Sequence, residues 1–451
     1  MSVPFVGPSY NLNRPAAIQR TIGLIPMPVE PGNERSPWTF KDWPGLVEFA
    51  DLEFEIRGML RADGRVFVVA GNQLFELDEL GEPTERGSLS SATGKVGMAS
   101  NGRQLAISDG ARLYVMILAT NAYSSAEFVG KAKIAYLNQR ILFVIRDSGT
   151  FGWSDLADAG DIDPLNIASA ESSPDDLVGI DVDHLEVFLF GEETTEPWQN
   201  TTSTAIFERN SGGVSEVGAA AEFTIQKVDN RIYWLSSTRN GSGAVYALNV
   251  YQPQRVSTDA VEGALTGLDL SQATAFSLEW EKSAFYCLNV PGLDSTLVYD
   301  ANTGQWMELC ELTAGELAPY RATCHVFGFG YHLVGDDTGK VYRLDKDTHT
   351  NDGDVLLRER IMPNAAAPFR DKQHFTEFNL DCERGTGGYV QMQYSLNGGK
   401  TWSAWKSKSV GELGVYNKLV RWRRIGAGRD LVIRVRCTDD VPFNPVSGVA
   451  R

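Results

Sequence analysis

Nowhere in the chain do apolar residues run for the roughly 18 positions that a membrane-spanning helix needs. Met1-Ser2-Val3-Pro4 also lacks the basic and apolar stretches of a secretory signal. Neither a membrane span nor signal-peptide export is expected, so the sequons at Asn200 and Asn240 carry no weight. The five cysteines, at 287, 310, 324, 382 and 437, are odd in number and widely spaced, which argues against a disulfide framework. Set in apolar patterns such as Phe285-Tyr286-Cys287-Leu288, they read as reduced, buried thiols of a protein made in a cytosol. Basic residues are short as well: 41 Lys and Arg against 58 Asp and Glu leave a net charge of −17. That deficit argues against a general nucleic-acid-wrapping role, which needs clustered cations, but does not exclude a surface past which DNA slides without sticking.

Catalytic patterns are missing too. The five histidines, at 184, 325, 332, 349 and 374, are scattered, and only Cys324-His325 with His332 could meet on one hairpin, too little for a zinc centre. No Gly-rich phosphate cradle follows a strand and opens a helix, and no nucleophile elbow or Ser/His/Asp set stands out. The densest acidic cluster, Glu192-Glu193-Thr194-Thr195-Glu196, follows the strand Val187-Phe188-Leu189-Phe190 and reads as a solvated turn. No catalytic residue, cofactor site or metal ligand is therefore nominated.

What the chain does have is a recurring turn. Asp63-Gly64-Arg65-Val66-Phe67, Asn101-Gly102-Arg103-Gln104-Leu105, Asn138-Gln139-Arg140-Ile141-Leu142 and Asp229-Asn230-Arg231-Ile232-Tyr233 each lead into an apolar strand. Arg65, Arg103 and Arg140 lie 38 and 37 residues apart, and the 91-residue gap to Arg231 holds a degenerate copy at Asp183-His184-Leu185-Glu186-Val187. Weaker copies follow at Glu281-Lys282-Ser283-Ala284-Phe285 and Gly328-Phe329-Gly330-Tyr331-His332. A period of roughly 40 to 50 residues with several strands per unit fits a β-propeller, because one four-stranded blade cannot bury both faces until neighbours stack on it. Seven copies give an all-β protein with a six- or seven-bladed propeller.

Eight of the 19 prolines fall in the first 44 residues, so residues 1–48 read as an irregular Pro-rich arm laid on something else. Short alternating apolar runs bounded by Gly, Asn or Asp fill the propeller region, 49–355. Hairpins such as Tyr299 to Trp306 and Asp336 to Tyr342 put Gly where a turn needs positive φ and an aromatic where the next strand packs. A capping Ser or Thr followed by acids predicts one short helix near Ser257 to Glu262. A Pro and Ala connector, Met362 to Pro368, precedes a small C-terminal β-sandwich at 369–451.

Two features of that last segment are candidates for sites. Ser395-Leu396-Asn397-Gly398-Gly399-Lys400-Thr401-Trp402 resembles the Asp-box of sialidases, with Asn397 where the box has Asp. Physically it is a hairpin staple: Ser395 and Asn397 bond the turn, Gly399 takes the left-handed position and Trp402 packs across the strands. A glycosidase would also need two carboxylates facing each other across a cleft, and none can be named. The second is Lys418 to Arg436, with seven Lys or Arg and the single acid Asp430. With the chain turning at Gly426-Ala427-Gly428, Arg421 and Arg423 project from one strand face, Arg434 and Arg436 from another, and Arg424 and Arg429 lie between them. Together they form a candidate contact surface for an acidic partner subunit or for phosphate; the plain alternative is a solvated face whose arginines cover apolar neighbours.

Four stretches resemble a known family. Ile18-Gln19-Arg20-Thr21-Ile22 with Glu30-Pro31-Gly32 and Trp43-Pro44-Gly45-Leu46 is similar to the N-terminal pattern of the packaged-DNA stabilisation proteins of short-tailed bacteriophages, also called tail accessory factors or tail hubs; Gly23-Leu24-Ile25-Pro26 replaces the family's usual Asn-Trp-Tyr-Pro. Ala170 to Asp175 with Leu177-Val178-Gly179 and Phe190-Gly191-Glu192 resembles the mid-propeller signature. Gln254 to Thr258 with Glu262 matches another segment, and Tyr394 to Trp402, Gly414-Val415-Tyr416, Arg421 to Gly426 and Arg429-Asp430 match the end. The resemblance implies a structural virion protein of the tail, assembled in the host bacterial cytoplasm. It would form a homo-hexameric ring below the portal and adaptor proteins, extend the DNA channel, help retain packaged DNA and dock the tail needle or distal tail proteins. It implies no enzyme activity, no cofactor and no membrane partner. The competing expectations are a carbohydrate-binding or sialidase-like propeller, motivated by Asn397 to Trp402, and a generic propeller interaction module of a host protein.

Overall fold

The computed structural model describes residues 2–3, 19–29, 36–170, 175–201, 206–237, 242–363, 365–366 and 371–451. Ile18, residues 30–32 of the arm, 171–174 of the mid-propeller signature, Asn240 and much of the 362–368 connector lie outside them. The described chain is overwhelmingly antiparallel strand, with one α-helix, Asp259–Leu265, capped by the Thr258 side chain accepting from the Val261 N–H.

The seven recurring turns occupy one structural position: each joins the first to the second strand of a different small sheet. Asp63-Gly64, Asn138-Gln139, Asp229-Asn230 and Phe329-Gly330 hold positive φ at both turn residues, the geometry whose twist matches a two-residue hairpin. Five sheets are complete four-stranded blades, running from Ile56–Ala62 to Pro83–Ser88, Gly97–Ser100 to Ala122–Glu127, Gly130–Leu137 to Ile167–Ser169, Leu177–Asp183 to Phe207–Arg209, and Gln226–Val228 to Gln252–Arg255. Blade 6 runs from Thr274–Trp280 to Gln305–Thr313. Blade 7 supplies only Cys324–Gly328, Tyr331–Gly335 and Lys340–Asp345, and takes its outer strand, Gly45–Asp51, from the start of the chain. The first strands touch in cyclic order, with blade 7 against blade 1, so the propeller is closed and has seven blades.

The core is divided among the blade interfaces. Phe67, Val69 and Leu105 pack between blades 1 and 2, Leu142, Leu189 and Trp198 between 3 and 4, and Ile56, Val68 and Leu333 between 7 and 1. Blades 6 and 7 close around Trp43, which is fully buried and meets the Phe285 ring edge-on at 5.2 Å. Four cysteines are buried as read; Cys324 is only partly so, and all five are free thiols.

The arm is structured where it is described. Leu24–Pro28 and Trp38–Asp42 form a hairpin that sends Leu24 and Phe40 into the sandwich core and Ile25 into the blade 6–7 core. Arg20–Ile22 lies parallel to the outer strand of blade 6, through Ile22 opposite Glu308, and antiparallel to Arg358–Ile361. The latter strand precedes the 362–368 connector yet pairs with Asp430–Cys437 of the sandwich. One hydrogen-bonded sheet thus passes from blade 6 through the arm into the C-terminal domain, ending at Tyr389–Ser395 and Lys406–Ser409. The facing sandwich sheet orders Ser2–Val3, Pro445–Ala450, Gln373–Cys382 and Val420–Gly428. Trp422, Phe378, Ile433 and Val435 fill the space between the two sheets.

Candidate functional site

The strands that carry the arginines do not form one surface. Residues 426–428 continue the strand Val420–Gly428 instead of turning it; the chain turns at Arg429, and Asp430–Cys437 crosses to the opposite sheet. The reason is a bulge: between Phe375 and Glu377 the register with Val420–Gly428 shifts, and Arg424 adopts φ +61°. The strand therefore bends without ending.

Three of the six arginines are engaged within the chain. Arg421 donates from Nε to Asn379 Oδ1 at 2.6 Å and pairs with Glu377 at 3.4 Å. Arg434 reaches Glu359 at 2.7 Å, and Arg436 donates to Gln391 Oε1 at 2.7 Å. Both guanidinium groups lie over the Trp405 ring, at 5.1 and 3.8 Å. Arg436 loses some hold on its proton because it is desolvated, Glu359 opposing that loss. Arg423, Arg424 and Arg429 are exposed.

Arg434 and Arg436 belong instead to a polar seam where the propeller meets the sandwich. Glu308 of blade 6 and Glu359 are almost wholly buried. Arg20 donates to Glu308 at 2.7 Å; burial works against its charge, but the Glu308 carboxylate prevails and raises its pKa. Arg360, fully buried, donates to Thr21 Oγ1 at 2.6 Å and to Gln19 Oε1 at 3.2 Å, with its guanidinium 5.1 Å from the Phe40 ring centre. Arg358, also fully buried, ties Asp42 of the arm (2.9 Å) to the Val441 and Asp439 carbonyls of the sandwich. Asp42 accepts in turn from the Phe443 N–H at 2.7 Å. Gly23 lets the backbones close here: it holds φ +60°, and a Cβ on it would lie 2.2 Å from the Leu357 carbonyl oxygen. Sequence reasoning missed this seam because its members lie up to 341 positions apart; the weak signal was charge inside apolar strands, as in Arg358-Glu359-Arg360-Ile361.

The Asp-box-like turn is a closed hydrogen-bond unit. Ser395 Oγ donates to Asn397 Oδ1 (2.8 Å) and accepts from the Gly399 N–H (2.9 Å), while Asn397 Oδ1 accepts from the Thr401 N–H (3.0 Å). Trp402 packs on Ile361 and Val432. Of the acidic run, Glu192 and Glu193 are exposed, but Glu196 is buried in the strand Thr195–Asn200, where its carboxylate accepts from Trp198 Nε1 at 3.3 Å. His325 and His332 do meet on one hairpin, ring nitrogens 3.1 Å apart. Burial, reinforced by His332, pushes the His325 imidazolium down to about 3. No group of three or more potential metal ligands converges among the described residues.

Fold and site together define a stiff, all-β building block in which polar side chains are spent on joining its parts. Residues 22–349 match the family described as bacteriophage P22 Gp10, beta-propeller, and 363–450 match bacteriophage P22 Gp10, beta-sandwich. The chain belongs to this Gp10 family of phage tail hub and stabilisation proteins. It is 22% identical over 415 residues to the tail hub protein gp10 of Salmonella phage P22, covering 87% of this chain and 86% of that one. It is accordingly a structural tail protein and a virion component. Among solved structures, the designed Ika8 protein (15% identity, TM-score 0.40, 66% of this chain and 99% of that one) and the N-terminal domain of Nup159 (10%, 0.41, 70% and 97%) show overlap too distant to bear on function.

Proposed function

We propose that the protein is a ring-forming subunit of the head-to-tail junction, added below the portal and adaptor proteins as a homo-hexamer. There it extends the DNA channel, helps retain packaged DNA and offers a docking surface to the tail needle or distal tail proteins. The observation that carries this reading is the sheet that runs unbroken from blade 6 through Arg20–Ile22 into the sandwich. A subunit that must resist the push of packaged DNA needs its parts fixed to each other, whereas domains joined by ordinary interfaces move. A net charge of −17 leaves duplex DNA free to pass, since a cationic lumen would hold the phosphates. Exposed Arg423, Arg424 and Arg429 are the candidate contacts for an acidic partner subunit. Catalysis has no place in this proposal: Ser395 and Asn397, the residues that suggested a sialidase, are engaged in stapling their own turn. Electron microscopy of the purified protein, alone and with portal and adaptor complexes, tests the reading. A ring around an open channel supports it, and monomers under both conditions overturn it.

A further inference from the structure

Two surfaces of opposite character lie far apart in sequence. The first is the sandwich loop 411–419, between Lys406–Ser409 and Val420–Gly428. It exposes Leu413 (85%), Tyr416 (72%) and Leu419 (51%) to solvent. The loop is nonetheless firmly built: the Gly387 N–H donates to the Gly411 carbonyl at 2.9 Å and the Gly414 N–H to the Gly385 carbonyl at 3.0 Å, while the Tyr416 ring packs so close to Gly385 that a Cβ there would lie 2.9 Å from it. Large apolar side chains held out on a pinned loop mark an interaction surface, because a pre-ordered contact loses little entropy on binding. The loop's own stretch of chain is basic: residues 408–424 hold five Lys or Arg, with Lys408, Lys418, Arg423 and Arg424 exposed, against the single acid Glu412, although the segment packed against it carries Asp381 and the exposed Glu383 beside Arg384.

The second surface is a groove of about 980 Å³ between blades 4 and 5, walled also by the connections 214–220 and 268–271. Its lining mixes apolar side chains, Val178, Val217, Ala219 and Leu270, with hydroxyls, Thr194, Ser236 and Ser271. Its rim carries four exposed acids, Glu192, Glu193, Glu216 and Asp269, and among the described residues no Lys or Arg lines it. The walls are fixed by the Ala219 N–H donating to the Gly191 carbonyl (2.9 Å) and by Asp175, which accepts from the Glu193 and Thr194 N–H groups. Small-ligand pockets span roughly 300–1,000 Å³, so this groove has room for a loop tip.

We infer that the 411–419 loop of one copy seats in the blade 4–5 groove of the next, with Leu413 and Tyr416 against Val178, Val217 and Leu270 and with Lys418 and Arg423 facing the acidic rim. A protruding apolar tip flanked by cations and a concave, partly apolar groove with an acidic rim match in shape and charge. Because the two surfaces differ, the contact is head-to-tail, the kind that closes into a ring when the rotation allows. The inference rests on the ring reading above and adds to it which surfaces meet.

Sedimentation velocity and native mass spectrometry of the full chain test it, with and without portal and adaptor complexes, using a loop variant (Leu413→Ser with Tyr416→Ser) and a groove variant (Glu192→Lys with Glu216→Lys). All four positions are exposed, and circular dichroism verifies the fold. Wild type assembles; each variant weakens self-association by about 30-fold or more, the scale of losing a central contact. An equimolar mixture of the two stops at heterodimers, because one intact loop and one intact groove meet and only damaged surfaces remain. Combining Lys418→Glu with Glu216→Lys in one chain restores assembly, which keeps the test open if a first variant misfolds. If wild type and both variants assemble alike, this inference falls while the ring reading stands. If wild type stays monomeric under every condition, both fall.

Discussion

Replacing Arg358 by Met tests whether the propeller and sandwich behave as one body. The guanidinium is fully buried and holds four partners: Asp42 at 2.9 Å, the Val441 carbonyl at 2.5 Å, the Asp439 carbonyl and Cys437 Sγ at 3.6 Å. Met keeps much of the aliphatic volume but leaves Asp42, only 9% exposed, with the Phe443 N–H at 2.7 Å and His349 at 3.4 Å. Removing one member of a buried pair costs about 3–5 kcal/mol, because the remaining charge is stranded. That loss falls on the contacts joining arm to sandwich and leaves the blade interfaces intact. Urea unfolding followed by tryptophan fluorescence, alongside limited proteolysis near the 362–368 connector, is the assay. Wild type gives one transition and resists cleavage there; the variant gives an early sandwich transition, a later propeller transition and faster cutting. A single transition shifted by less than about 1 kcal/mol would show that the seam does not couple the two parts, and the rigidity argument would fail with it.

Three further outcomes are expected. Asn397→Ala removes the acceptor for Ser395 Oγ and the Thr401 N–H and costs about 1–3 kcal/mol in urea unfolding, whereas Asn397→Asp keeps that acceptor and costs less. Gly97→Ala, in the first strand of blade 2, puts a Cβ 2.0 Å from the Ala132 carbonyl of blade 3 and costs about 1–3 kcal/mol or more, read as a lower melting midpoint. His325 has its folded-state pKa depressed to about 3, so the unfolded chain binds the extra proton first as pH falls. Its contribution is whole above roughly pH 6.5 and declines by at most about 1.4 kcal/mol per unit below it. The stability of His325→Gln therefore falls less steeply than wild type between pH 6.5 and 4; parallel curves would refute a buried neutral imidazole.

The repeat was legible because it rests on local chemistry. Pairs such as Asp63-Gly64 and Asn138-Gln139 advertise positive φ, and each marks the same corner of a blade. The Ser395 to Trp402 staple was readable for the same reason, its partners lying within four positions of each other. What sequence could not reveal is pairing over distance. Arg20–Ile22 looked like part of an irregular arm, yet it is a strand between blade 6 and Arg358–Ile361. The arginine strands show the same limit: alternation separates Arg421, Arg434 and Arg436 from their apolar neighbours, but whether such a face meets solvent or Glu377, Glu359 and Trp405 depends on the partner sheet.

Ring closure and sandwich attachment are tied to the same stretch of chain. Gly45–Asp51 completes blade 7, and Trp43, two residues earlier, is buried between blades 6 and 7. Asp42 anchors Arg358, and Arg20–Ile22 completes the bridging sheet beside Glu308, 288 positions from Arg20. Closing loops of that length is entropically costly, so these contacts form after the blades that surround them. A chain whose arm has not docked therefore holds six full blades, a three-stranded seventh and an unpaired strand edge on blade 6, a state open to edge-to-edge association. Deleting residues 1–44 keeps Gly45–Asp51 and hence a four-stranded blade 7, but leaves the blade 6 edge bare: Glu308 loses Arg20, Arg358 loses Asp42, and the gap at Trp43 alone is worth about 3–5 kcal/mol. Size-exclusion chromatography and light scattering of the deletion should show soluble aggregates. A monodisperse deletion protein with wild-type melting would mean that the seven blades and the sandwich hold together without the arm.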